Sequence, residues 1–116
     1  MCDDCVFCKI ASGEIPANII FEDNKAIAFD DLNPMMPVHT LIIPKEHYAH
    51  MGDNVPDEIM GHLFNTVKKV AHIKGVDKNG YRIQVNTGDD AQQSVHHLHI
   101  HLLGGEKMND GSPKSK

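Results

Sequence analysis

The segment His97-Leu98-His99-Ile100-His101-Leu102-Leu103 constrains this chain more than any other. In an extended strand successive side chains point to opposite faces. His97, His99 and His101 then share one face, about 6.6 Å apart, while Leu98, Ile100 and Leu102 share the other. A helix turns about 100° per residue and would send His99 away from its neighbours. The pattern is coherent only as a strand with an apolar face on a core and a row of imidazoles on the other side. Three adjacent imidazoles repel one another when protonated, so some are neutral near pH 7 and available as nucleophile, proton carrier or metal ligand. A metal held by all three is one use of that face and acid–base chemistry another; spacing leaves both open.

The rest of the chain must supply what this strand packs against. Its 116 residues, 41% of them apolar, suffice for one modest core, and no run approaches the ~18 apolar residues of a membrane span. A net charge of −5 argues against a nucleic acid polymer as partner, though not against a single nucleotide. The start, Met1-Cys2-Asp3-Asp4-Cys5, carries neither a basic stretch nor an apolar one, so no leader is expected and a cytoplasmic location follows. All three cysteines lie in the first eight residues, as Cys2-x-x-Cys5-x-x-Cys8. So short a spacing and an odd number make a poor disulfide framework, and reduced thiols are expected.

Short β-prone runs at Ile19–Glu22 and Ala26–Asp30 flank the turn-like Asp23-Asn24-Lys25 and read as a hairpin. A two-proline loop, Asn33–Pro37, leads to a third strand at His39–Pro44. Residues 56–74 read as one long helix. Pro56 suits its first position, Asp57 and Glu58 its first turn, and Met60, Leu63, Val67, Val70 and Ala71 its buried face; Gly75 stops it. Strands at Tyr81–Asn86 and Val95–Leu103 follow, joined by a segment longer than an ordinary hairpin loop. With a short helix ending near Gly13, the expectation is an α+β fold: a five-stranded, mainly antiparallel sheet, one long helix and a short N-terminal one.

The run His97–Leu103 matches the signature His-φ-His-φ-His-φ-φ, with φ apolar, at every position. Gln93-Ser94-Val95 before it and Leu103-Gly104-Gly105 after it extend the likeness. So do Phe7-x-Lys9-Ile10, Gly13-Glu14-Ile15-Pro16, Ile20-Phe21-Glu22-Asp23 and Pro37-x-His39-x-Leu41-x-Ile43-Pro44-Lys45-x-His47. Over roughly residues 5–105 the chain resembles the histidine triad (HIT) superfamily, and within it the nucleotide-binding Hint branch. The resemblance implies a single HIT domain over 1–116, with 106–116 a polar tail lacking an aromatic residue common in close relatives. It also implies a homodimer, cytoplasmic and in a eukaryote also nuclear, that hydrolyses the P–N bond of adenosine or guanosine phosphoramidates to AMP or GMP without an organic cofactor. His99 would attack phosphorus and form a nucleotidyl-histidine. His101 or the phosphate itself would deliver the proton to the departing amine, and His97 would complete the triad.

By the same resemblance Asn86, Gln92, Gln93, Ser94 and Val95 hold the phosphate, and Asp31 with Leu32 holds the ribose. Phe7, Ile10, Ile15, Ile20, Phe29 and Leu41 sandwich the base, and His39 supports the nucleotide side from behind. Some relatives bind zinc, which maps the ligands of a structural Zn2+ to Cys5, Cys8, His47 and His97, with His50 able to replace His47 and Cys2 spare. A dinucleoside polyphosphate hydrolase, a non-catalytic nucleotide-binding scaffold and a metal-dependent hydrolase with the three histidines on a metal are the rival readings.

Overall fold

The computed structural model describes residues 5–109. Helix α1 (Val6–Ser12) leads into β1 (Ile19–Glu22), β2 (Ala26–Asp30) and β3 (Val38–Pro44). Helix α2 (Asp57–Ile73), β4 (Tyr81–Gln84), a 3-10 turn (Asp89–Ala91) and β5 (Ile100–Gly104) complete the order. The five strands form one sheet in the order β1-β2-β3-β5-β4, every pair antiparallel, so the expected α+β architecture holds.

Strand alternation divides the interior into two layers. Ala26, Ala28, Ile42, Ile100 and Leu102 face α2, which buries Leu63, Val67, Val70 and Ala71 against them. The odd-numbered partners Ile27, Phe29, Leu41 and Ile43 face the other way and pack against Phe7 of α1. The two alanines on β2 let α2 approach closely. Helix α1 begins with Cys5 as its cap, the sulfur accepting the Cys8 N–H at 3.3 Å. It ends at Gly13, whose φ of 88° needs a residue without Cβ.

Six boundaries differ from the sequence reading; β3 starts at Val38, α2 ends at Ile73 and β5 ends at Gly104, each a single residue away. Pro56 stands one residue before α2, with an extended ψ of 146°, and its carbonyl accepts from the N–H groups of Ile59 and Met60. Strand β4 ends at Gln84 rather than Asn86. Strand β5 starts at Ile100 rather than Val95. The β3–β5 register pairs Val38 with Gly104 and Ile42 with Ile100, and continuing it would set Pro44 opposite Leu98. Pro44 has no N–H to give, and its carbonyl is taken by the His97 ring, so the chain leaves the ladder there. Leu98 instead donates its N–H to Tyr48 O at 2.7 Å. The alternation survives the loss of the ladder: Leu98 is buried in the α2 layer, and His97 and His99 are buried too.

Candidate active site

A cleft of about 350 Å3 opens on the α1 side of the sheet, within the size range of small-molecule sites. Phe7, Ile10, Ile15, Phe29 and Leu41 form its apolar walls, Asp31 and Leu32 one rim, Ser94 and Val95 another, and His99 and His101 its floor. Val6, Pro16, Ala17, Asp30 and Asn33 also line it and were missed. All but Ala17 are chain neighbours of a residue that was found, Ala17 lies two positions from Ile15, and no pattern of their own marks them. Phe7 anchors the arrangement, its ring edge-on to Phe29 at 5.5 Å and to His99 at 5.2 Å. Ile20 packs instead in the α2 layer. Ile19 pairs with Phe29 and Phe21 with Ala28, and this shift in the β1–β2 register puts Ile20 and Phe21 both in the α2 layer. A larger groove of about 600 Å3, between residues 75–82 and 105–108, contains none of these groups.

Hydrogen-bond partners assign the proton on each triad ring. His99 Nδ1 lies 2.7 Å from the carbonyl of His97, which can only accept, so Nδ1 carries the proton and Nε2 has the lone pair. Met35 donates its N–H to His39 Nδ1 at 3.1 Å, so His39 carries its proton on Nε2 and gives it to His101 Nδ1 at 2.9 Å. That leaves His101 with its own proton on Nε2. His97 donates Nε2–H to Pro44 O at 2.9 Å, so its Nδ1 lone pair faces away from the carbonyl. Burial pushes all four rings below the ordinary imidazole value, His97 and His101 to about 4. The expectation of neutral imidazoles rested on mutual repulsion; burial is the larger cause, and repulsion between neighbours adds to it at His97 and His101.

The other predicted residues have distinct placements. Asp31 accepts the Asn33 N–H on Oδ1 at 2.8 Å, and its Oδ2 lies 3.4 Å from His39 Nε2. His39 is buried behind His101 rather than on the cleft wall. Asn86 sits just past β4, its Oδ1 3.5 Å from Gln84 Nε2. The N–H groups of Gln92 and Gln93 are used inside the loop, on Asp89 O and Gly88 O. The Gln93 side chain is buried and staples the loop, accepting from Gly88 N and donating to Ala49 O and Val95 O. Among the described residues, the N–H groups of Ser94 and Val95 take no backbone partner, and both residues line the cleft with His99 and His101.

A second cluster adjoins the triad. One ligand atom each from Cys5, Cys8, His47 and His97 lies within 4.8 Å of all the others. His97 Nδ1 is 3.2 Å from Cys5 Sγ, 3.5 Å from Cys8 Sγ and 3.3 Å from His47 Nδ1, and Cys8 Sγ is 3.4 Å from His47 Nδ1. Tetrahedral zinc with ordinary bond lengths sets sulfur–nitrogen edges of about 3.5 Å and nitrogen–nitrogen edges of about 3.3 Å. The donor set fits that ion, and Pro44 O on the far nitrogen of His97 is the usual outer partner of a ligating imidazole. His50 lies outside the cluster, its Nδ1 accepting from Gly52 N. Cys2 lies outside the described residues. Cys8 is disulfide-bonded and Cys5 carries a free thiol, which corrects the expectation of reduced cysteines at Cys8. A metal would take both sulfurs as thiolates, so loading requires Cys8 reduced. The three triad rings do not share a metal-sized cluster among the described residues, because their Nδ1 atoms face three different partners.

Comparison with known proteins places this geometry in a family. The model of the HIT domain matches residues 12–108. A 14 kDa zinc-binding protein of Brassica juncea is 44% identical over 110 residues, covering 91% of this chain and 96% of the relative. Among solved structures, a HIT family hydrolase from Legionella pneumophila superposes with a TM-score of 0.88 at 44% identity, over 93% of this chain and 98% of the other. A histidine triad nucleotide-binding protein from Candida albicans gives a TM-score of 0.81 at 35% identity, over 94% and 86% of the two chains. The chain belongs to the HIT domain family. No helix among the described residues is long and apolar enough to cross a membrane.

Proposed function

We propose that the protein is a Hint-type purine nucleotide phosphoramidase. The observation that carries this reading is His99: buried on the cleft floor, it is held by the His97 carbonyl as the tautomer whose Nε2 is unprotonated. A neutral, oriented imidazole is a competent nucleophile toward phosphorus. The apolar walls accept a purine without reading its edge, Asp31 retains lone pairs for the ribose hydroxyls, and Ser94 and Val95 offer donors to the phosphate. His99 Nε2 attacks phosphorus, a P–N(His99) bond forms, and the P–N bond to the leaving amine breaks. That amine needs a proton: the substrate complex takes up one more proton on His101, which then gives its Nε2–H to the amine and returns to the neutral form. An anionic phosphate beside His101 opposes the burial that keeps the free ring neutral. Water then attacks the nucleotidyl-His99, gives a proton to His101, and the nucleotide leaves with the imidazole restored.

A structural zinc ion on Cys5, Cys8, His47 and His97 goes with this reading, supported by the tetrahedral spacing and by the zinc-binding relative. It would pin α1 to the segment before β5 and is not a participant in the steps above. The family resemblance adds a homodimer, which sedimentation of the purified chain would check. The discriminating experiment is turnover of an adenosine phosphoramidate against a diadenosine polyphosphate. Preference for the phosphoramidate supports the proposal, preference for the polyphosphate favours the sister branch, and binding without turnover of either favours the scaffold reading.

A further inference from the structure

Residue 97 belongs to two sites at once. Its ring Nδ1 lies in the Cys5, Cys8 and His47 cluster, while its carbonyl accepts the Nδ1–H of His99 at 2.7 Å. The backbone here is the stretch that the sheet does not hold, since the ladder with β3 starts only at Ile100. Between Val95 and Ile100 the hydrogen-bond anchors are few: His97 N–H and Gln93 Nε2 to Val95 O, Leu98 N–H to Tyr48 O, and the His97 ring to Pro44 O. The bonds at Val95 O reach the rest of the molecule only through the Gln93 side chain and Ala49, upstream of residue 97. The orientation of the nucleophile therefore depends on a carbonyl whose own residue lacks ladder bonds and is held through its side chain.

We propose that a metal ion at Cys5, Cys8, His47 and His97 is a positioning element for His99: it replaces the missing ladder contacts by fixing residue 97, whose carbonyl sets the His99 ring. This rests on the zinc and nucleophile readings above and goes further, because a purely structural staple would stabilise α1 without changing the His99 ring. Chain economy favours the coupling. One residue, Leu98, separates the ligand from the nucleophile, and no flexible side chain intervenes between the His97 backbone and the His99 proton. The other three ligands come from α1 and from the segment after β3, so the ion ties residue 97 to parts of the chain distant in sequence.

The test uses the full chain under reducing conditions, zinc-loaded and then stripped with a chelator, with circular dichroism confirming that both forms are folded. The primary readout is the nitrogen spectrum of the His99 ring in histidine-labelled protein at one fixed pH. With zinc the account predicts one Nδ1–H tautomer; without it, an averaged or broadened signal. Displacement of a reacting ring costs about 10–100-fold, so kcat should fall by that factor on stripping while KM stays nearly unchanged. A second readout uses Co2+ in place of zinc, where AMP seated against His99 should shift the visible bands of the metal. His47→Ala, which removes a ligand outside the triad, should reproduce the stripped spectrum and serves where stripping unfolds the chain. A His99 spectrum identical with and without zinc overturns the proposal, as does protein that retains no zinc. If AMP binds neither form, the nucleotide reading falls by itself, and the His99 spectrum still decides the positioning role.

Discussion

His39 touches no wall of the cleft, yet it decides the proton on His101. Its Nδ1 is committed to the Met35 N–H, so its Nε2–H must point at His101 Nδ1. His39→Ala removes the donor and leaves a buried acceptor unpaired, which typically costs 1–3 kcal/mol and lets His101 adopt the other tautomer. The expected result is a fall in kcat of about ten-fold or more with little change in KM, and partial recovery in His39→Gln, whose amide also donates. The same pair sets a pH dependence. Burial is the first cause holding His39 and His101 below 6.5, with His101 at about 4. The unfolded chain takes up protons near 6.5 while the folded chain resists them until lower pH. This contribution is therefore fully present above about 6.5 and is lost as pH falls through that value toward about 4. Melting temperature followed over that range should decline, and less steeply in His101→Asn; parallel declines would show that the pair does not carry the effect.

Element ends, not element existence, separate the sequence reading from the structure. Helix α2 was legible because its apolar residues repeat at helical spacing, and the long central strands were legible by alternation. The start of β5 was not, because it depends on which partner Pro44 meets and on its carbonyl going to a histidine side chain. Ile20 was assigned to the base site by the family resemblance, whereas the β1–β2 pairing puts it in the α2 layer, and a local pattern cannot show which strand partner it meets. The turn after β5 offers a test at this scale. Gly105 has a φ of 96°, and a Cβ there would lie 2.9 Å from Pro37 Cβ and 3.3 Å from Val38 N. Gly105→Ala should destabilise the chain by about 1–3 kcal/mol in urea unfolding, since both the backbone angle and the space are wrong for it. Stability within about 0.5 kcal/mol of the original chain would mean the turn relaxes freely. For the N-terminal segment, a metal staple predicts that chelation under reducing conditions lowers the melting temperature by more than the ~4–8 °C that 1 kcal/mol is worth in a domain this size. An unchanged melting temperature would remove the staple.

Across the whole molecule two layers share one sheet: α2 covers one face and supplies the core, and α1 covers part of the other and leaves the cleft open beside it. The triad alternation projects this division onto the sequence, with Leu98, Ile100 and Leu102 in the first layer and the histidines on the second. That is why the layout of the site could be read before the fold. What could not be read is how the histidines divide their work, because each ring's second nitrogen meets a partner from a different part of the chain: Pro44, the His97 carbonyl, or His39. The central claim is that His99 Nε2 forms a bond to phosphorus. Mixing the enzyme with an adenosine phosphoramidate, quenching within one turnover and mapping the digested protein by mass spectrometry tests it most directly. The account predicts one adenylyl group on the peptide containing His99, and no adduct with turnover reduced by several orders of magnitude in His99→Ala. Full turnover by His99→Ala, or an adenylyl group on another residue, would contradict it.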